Sequence, residues 1–181
     1  MGKPNRRKSG NRPEKSEFDQ QILDLARVTR VTKGGKHMSF RVCVVIGNRK
    51  GKVGFGVAKG PDVQIGVEKA VNQAKKNMIY VQTVNETIPH PVNYKFNAAT
   101  IFMKPAPKGS GIIAGGPVRA LLDLAGIPNV SAKVLGTTKN KISIVKAVFA
   151  ALQTFKKDKS HHILTNEQPE NDIPSVLTEN K

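Results

Sequence analysis

The chain has 181 residues, 38% of them apolar and 24% charged, enough apolar material for a core and too much for a wholly disordered chain. Its 30 Lys and Arg against 13 Asp and Glu give a net charge of +17, which points to a polyanion as partner. A single cysteine, Cys43, excludes an internal disulfide or a thiolate metal cluster, and the longest run without Asp, Glu, Lys or Arg, Gly109 to Val118, falls far short of the roughly 20 residues of a membrane helix.

Residues 1–17 hold Lys3, Arg6, Arg7, Lys8, Arg12 and Lys15 among Gly, Pro, Asn and Ser, and are expected to form a flexible basic arm. No apolar h-region follows them, so no secretory signal is expected and the predicted location is cytoplasmic. A short helical turn is predicted around Ile22 to Ala26. Arg27 to Thr32 then alternates basic and β-branched residues as a strand does. Lys33-Gly34-Gly35-Lys36 interrupts it, and Met38, Phe40, Val42, Val44 and Ile46 recur every second residue on one face of a second strand. After the turn Gly47-Asn48-Arg49-Lys50-Gly51, Val53, Phe55 and Val57 mark a third strand. Gly60-Pro61-Asp62 opens a helix, with Pro61 expected at the first helical position and Val67, Ala70, Val71, Ala74 and Met78 as its apolar stripe. Three antiparallel strands and a helix on one face make a βββα unit of the double-stranded-RNA-binding kind.

The second half is predicted to begin with a connection over Ile79 to Pro91 that carries a short strand, followed by a hairpin of Val92 to Phe96 and Ala99 to Met103. A Pro- and Gly-rich stretch from Lys104 to Gly116 leads to a helix started by Pro117 and ended by Gly126, with Val118, Leu121, Leu122 and Ala125 on one stripe. Val130 to Leu135 reads as a strand, and Asn140 caps a last helix whose buried positions are Ile144, Val145, Val148, Leu152 and Phe155, ahead of Lys156 and Lys157. The fold class is therefore α+β: a βββα domain over 18–83, a small βαβα domain with its own core over 84–158, and a disordered acidic tail over 159–181, which from Ser160 onward holds Glu167, Glu170, Asp172 and Glu179 against Lys181 alone.

Gly54-Phe55-Gly56-Val57-Ala58-Lys59-Gly60 has the wrong spacing and lies in a strand, so it is no dinucleotide loop; Gly54, Gly56 and Ala58 instead leave room for a neighbouring backbone or RNA. The loop Gly109-Ser110-Gly111-Ile112-Ile113-Ala114-Gly115-Gly116 offers backbone amides to a phosphate but lacks the Lys and Ser or Thr of a nucleotide P-loop. His37, His90 and His161-His162 form no metal or catalytic set, nor do Asp62, Glu68, Glu86 and Asp123. No enzyme, cofactor, metal or small-molecule substrate is expected. Asn85-Glu86-Thr87 and Asn129-Val130-Ser131 are chance matches to glycosylation acceptors. The basic residues collect in turns and beside them, where they reach phosphates. Arg27, Arg30, Lys33 and Lys36 stand with Gly34, Gly35 and His37 at the first turn, and Arg49, Lys50 and Lys52 with Asn48 at the second, followed by Lys59. Lys104, Lys108 and Arg119 stand around Gly109, Ser110 and Gly111. With 5% aromatics and no Trp, recognition of backbone and shape is favoured over base stacking.

From about Phe18 to Phe155 the sequence resembles the bacterial-type family of small-subunit ribosomal protein five. The residues that carry the resemblance are Gly35-Lys36, Phe40, Val45-Ile46-Gly47-Asn48, Gly51, Val53-Gly54, Gly56, Ala70, Thr87-Ile88-Pro89-His90-Pro91, Lys104-Pro105-Ala106 and the glycine loop 109–116. The resemblance implies a double-stranded-RNA-binding-like domain followed by a left-handed βαβ domain, both docked on small-subunit rRNA. It also implies a role in assembling the subunit, in bracing its head against its body and in decoding accuracy, with the fourth and eighth small-subunit proteins and the incoming mRNA as neighbours. The family usually reads R-V-x-K-x-V-K-G-G-R at the first loop. Counted from Arg30, this chain is a few residues shorter there, which predicts either a retracted loop with reduced spectinomycin sensitivity or a strand that starts later with a tip that still reaches. A free double-stranded-RNA chaperone or regulator is the alternative function, since it would share the first domain.

Overall fold

Strand β1, Asp19–Thr32, pairs antiparallel with β2, Gly35–Gly47, across a two-residue turn at Lys33-Gly34. The computed structural model describes residues 17–155, so the expected acidic tail, Lys156, Lys157 and all but the last residue of the basic arm lie outside the described residues. The helical turn expected around Ile22 to Ala26 is strand instead. The register shifts between Ile22 and Asp24, a β-bulge that leaves Leu23 unpaired and sets Ile22 opposite Val44 and Leu25 opposite Val42. Ile22 and Leu25 thus share a face three positions apart, a spacing that imitates a helix.

The expected deletion depends on the residue from which the pattern is counted. Arg-Val-Thr occurs twice in succession, and the ten residues Arg27-Val28-Thr29-Arg30-Val31-Thr32-Lys33-Gly34-Gly35-Lys36 fill the whole ten-residue pattern when counted from Arg27. The strands pair without a gap from Thr29 opposite Met38 to Thr32 opposite Gly35. Counted from Arg27, the stretch has all ten positions of that pattern, so its length gives no ground for a retracted loop or for reduced drug sensitivity.

Strand β3, Lys52–Gly60, continues the sheet beside β2, and a short β4, Met78–Tyr80, pairs with β3. Helix α1, Val63–Lys76, is capped by Asp62, whose carboxylate accepts the Val63 amide at 2.7 Å. Pro61 therefore stands one place before the cap rather than at the first helical position, and Met78 lies on β4 beyond the helix. Val42, Val44 and Ile46 pack with Ala70 and Ala74 beneath α1. The helix sits close because a Cβ at Gly56 would strike the Ala70 carbonyl and one at Gly54 the Ala74 carbonyl. The glycine face of β3 receives a neighbouring backbone, not RNA.

The second sheet has the order β5-β6-β8-β7, formed by β5 Val92–Phe96, β6 Ala99–Pro105, β7 Ile112–Ile113 and β8 Val130–Val134. β5, β6 and β8 are antiparallel neighbours, whereas β7 runs parallel to β8, and α2, Gly116–Ala125, joins the two as a βαβ crossover. β7 is too short for periodicity to reveal. Pro117 is the second residue of α2, and Gly126 ends the helix with φ +79°. Helix α3, Lys141–Gln153, starts at Asn140, whose side chain accepts the Ile142 amide at 3.1 Å.

The second half does not have a separate small core. Val45 and Val53 of the first sheet join Ile101, Leu121, Leu124, Val145 and Val148 in the larger of two apolar clusters. Every residue from Val42 to Ile46 is buried, because β2 is covered by α1 on one face and by the second half on the other. Burial of Cys43 there pushes its thiol up to about 11, with the Asp24 charge adding to the effect. No helix among the described residues is long and apolar enough to cross a membrane.

Candidate nucleic-acid interface

β3 begins to pair with β2 only at Phe40, opposite Gly60, so Val28 to Ser39 projects past the third strand as a two-stranded ribbon. Arg27, Arg30, Lys33, Lys36 and His37 are all exposed on it or at its base, as are Gly34 and Gly35. Arg30 stands opposite His37 and Val31 opposite Lys36, while the Thr32 hydroxyl donates to the Gly35 carbonyl at 3.1 Å and tightens the turn. No Asp or Glu occurs between Leu25 and Phe40. Val31 and Met38 are 73% and 59% exposed, so the ribbon offers apolar contact as well as charge. Lys59 is exposed on β3 opposite Arg41, which instead turns to Asp24 at 3.4 Å; Asp24 also meets Lys141 at 3.5 Å.

The second turn is held against the other half of the molecule. The Arg49 amide donates to the Leu124 carbonyl and the Gly51 amide to that of Ala125, at 3.0 and 2.9 Å. Asn48 shapes the turn, its side-chain oxygen accepting the amides of Lys50 and Lys52 at 2.8 and 3.0 Å. The Arg49 guanidinium lies 3.0 Å from Asp19 and 3.9 Å from Asp123, so its charge is already answered by carboxylates. Lys50 and Lys52 are exposed and make no ion pair with a described residue.

The glycine loop differs most from expectation. Asn129, the only buried polar residue among the described ones, accepts the amides of Gly109 and Gly111 on one side-chain oxygen, at 3.0 and 3.2 Å. The Ser110 amide and hydroxyl both donate to the Pro107 carbonyl, at 3.2 and 2.9 Å. These three amides are spent within the protein and do not form a phosphate cradle. Gly109 and Gly111 have φ of +86° and +70° with open space where a Cβ would stand, so glycine is required there by backbone conformation and not by close approach. Lys104 and Lys108 are exposed beside the loop, with Lys108 3.9 Å from Glu86. Arg119 is exposed on α2, lining an open cleft of about 490 Å³ with Gln21, Ile112 and Asp123.

Sequence reasoning missed Asn129, which it treated as a chance glycosylation match. Asn129 also donates to the Glu86 carbonyl through its backbone amide at 3.3 Å and its side chain at 3.5 Å, and so ties the loop before β5 to the loop before β7. Its partners lie 18 to 43 residues away in the chain, and no local pattern announces them. His90 packs edge-on against Phe155 at 5.3 Å, and no group of three or more His, Cys, Asp or Glu among the described residues could hold a metal ion.

A double-stranded-RNA-binding-like sheet and helix, joined to a βαβ-containing second sheet and studded with exposed cations on a ribbon and turns, define an α+β protein of the RNA-binding class. Residues 18–82 match the family described as Ribosomal protein S5, N-terminal domain, and residues 94–162 match Ribosomal protein S5, C-terminal domain. The chain is 46% identical over 137 residues to the small ribosomal subunit protein uS5 of Thermotoga neapolitana, covering 76% of each chain. It is 44% identical over 140 residues to the protein of that name from Legionella pneumophila strain Corby, covering 77% of this chain and 83% of that one. The chain belongs to the ribosomal protein S5 family.

Proposed function

We propose that this protein is a structural constituent of the small ribosomal subunit in the cytoplasm and that it acts by holding rRNA in place. The observation that carries this reading is the projecting ribbon, where Arg30, Lys33, Lys36 and His37 stand exposed without a carboxylate in the same stretch. A solvated two-stranded ribbon is marginal by itself and gains a partner when phosphates neutralise it. Lys50, Lys52 and Lys59, together with Lys104, Lys108 and Arg119, extend the phosphate contacts beyond it. Asn48 and the residues Gly109, Ser110 and Gly111 set turn shape, and Arg49 serves the joint between the halves as much as the RNA. The working division is 18–83 and 84–158. Held by one shared core, the two parts would present the ribbon and the second sheet at a fixed separation, which suits bracing of the head against the body and support of decoding accuracy. The fourth and eighth small-subunit proteins and the incoming mRNA are the proposed neighbours.

Contacts of this kind release counterions, so affinity for a small-subunit rRNA fragment falls steeply as salt rises. Lys33→Ala and Lys36→Ala should each weaken binding and lower the slope of log affinity against log salt by about 1. Affinity unchanged by salt, or slopes unchanged in both variants, would remove the ribbon from the interface.

A further inference from the structure

We propose that the outer face of the second sheet is a binding surface for an unpaired RNA segment. Alternation divides this sheet cleanly. Ala99, Ile101, Met103, Val130 and Ala132 are buried in the larger core on one face. The opposite face carries Lys95, Thr100, Phe102, Lys104, Ser131 and Lys133. All three lysines are exposed.

Phe102 sits in the middle of this face. It belongs to neither apolar cluster, and the register places Asn93 directly beside it on β5 and Lys133 directly beside it on β8. Lys104 follows two residues along the same strand, and Lys95 lies diagonally across, opposite Thr100. None of the four strands contains Asp or Glu. An aromatic ring within a set of lysines, with hydroxyl and amide side chains between them and no carboxylate, is complementary to exposed bases on a polyanionic backbone. Bases held in a duplex cannot lie flat on such a ring, whereas unpaired ones stack on it while the lysines meet their phosphates. The low overall aromatic content hid this because the platform rests on a single half-buried ring at the centre of the sheet.

The proposal rests on the reading of the chain as an RNA-binding protein, and its test separates the two. Binding of the full chain to a ten-nucleotide uridine-rich RNA, to a 16-base-pair RNA duplex and to a small-subunit rRNA fragment is followed by fluorescence anisotropy. Phe102→Leu keeps the apolar bulk and removes the ring; it should weaken the single strand by roughly five- to 150-fold and leave the duplex unchanged. Phe102→Tyr should restore binding. Lys95→Ala with Lys133→Ala, both at exposed positions, should also weaken the single strand and flatten its salt dependence. Wild-type affinity for the single strand in both Phe102→Leu and the double lysine variant would overturn the proposal and leave the face to a protein partner or to solvent. Failure of the unmodified chain to bind the single strand while it binds the rRNA fragment would overturn this proposal alone; failure to bind any of the three RNAs would overturn the RNA-binding reading with it.

Discussion

Asn129 satisfies two backbone amides with one oxygen, so its loss leaves Gly109 and Gly111 without an acceptor inside the protein. Gly109 is exposed and Gly111 half-buried, so water can take over and the net loss is that of ordinary hydrogen bonds, about 0.5–1.5 kcal/mol each. Asn129→Ala should lower stability in urea denaturation by that amount and speed hydrogen exchange at Gly109 and Gly111 in particular. Unchanged exchange at both amides would show that the loop holds its shape without Asn129. Arg49 and Lys50, adjacent in sequence, should separate in behaviour. Lys50→Ala removes an exposed cation that has no ion pair among the described residues and should weaken rRNA binding with no change in melting. Arg49→Ala also removes ion pairs to Asp19 and Asp123, which at this exposure are worth about 0–1 kcal/mol. Melting curves and rRNA titrations of the two single variants check this, and identical profiles for both would contradict it. Their placement in a turn was legible from glycines at either end; the carboxylates facing Arg49 come from β1 and α2 and were not.

The hairpin, the third strand and the three helices among the described residues were legible because each has a period or a cap. Asp62 and Asn140 cap α1 and α3, and Gly126 ends α2 in the left-handed region. The first residues of β1 were misread for a physical reason, since the bulge at Leu23 changes a two-residue period into a three-residue one. Gly54 and Gly56 illustrate a partial success. Their small size signals close approach, but only the fold identifies the approaching group as the α1 backbone. Gly56→Ala should therefore push α1 off the sheet, at a cost of about 1–3 kcal/mol or more. Thermal unfolding should register the loss, and an unshifted melting temperature would mean that α1 accommodates a methyl group there.

Across the whole molecule, the run Val42-Cys43-Val44-Val45-Ile46 carried more information than its alternation. A continuous apolar stretch marks a strand covered on both faces. Taking only Val42, Val44 and Ile46 as buried left the second face unassigned and made the halves look independent; Val45 and Val53 in the larger core show that they are joined. Two parts joined by one core, with cations on the ribbon, turns and second sheet, are what the proposed role of holding rRNA requires. The most direct test of that role is sedimentation of a cell lysate at raised magnesium, with the full chain followed by antibody in parallel with Lys33→Ala/Lys36→Ala. The unaltered protein should travel with the small subunit and the variant should shift toward the top of the gradient. Unaltered protein found only at the top, free of the small subunit, would contradict the account.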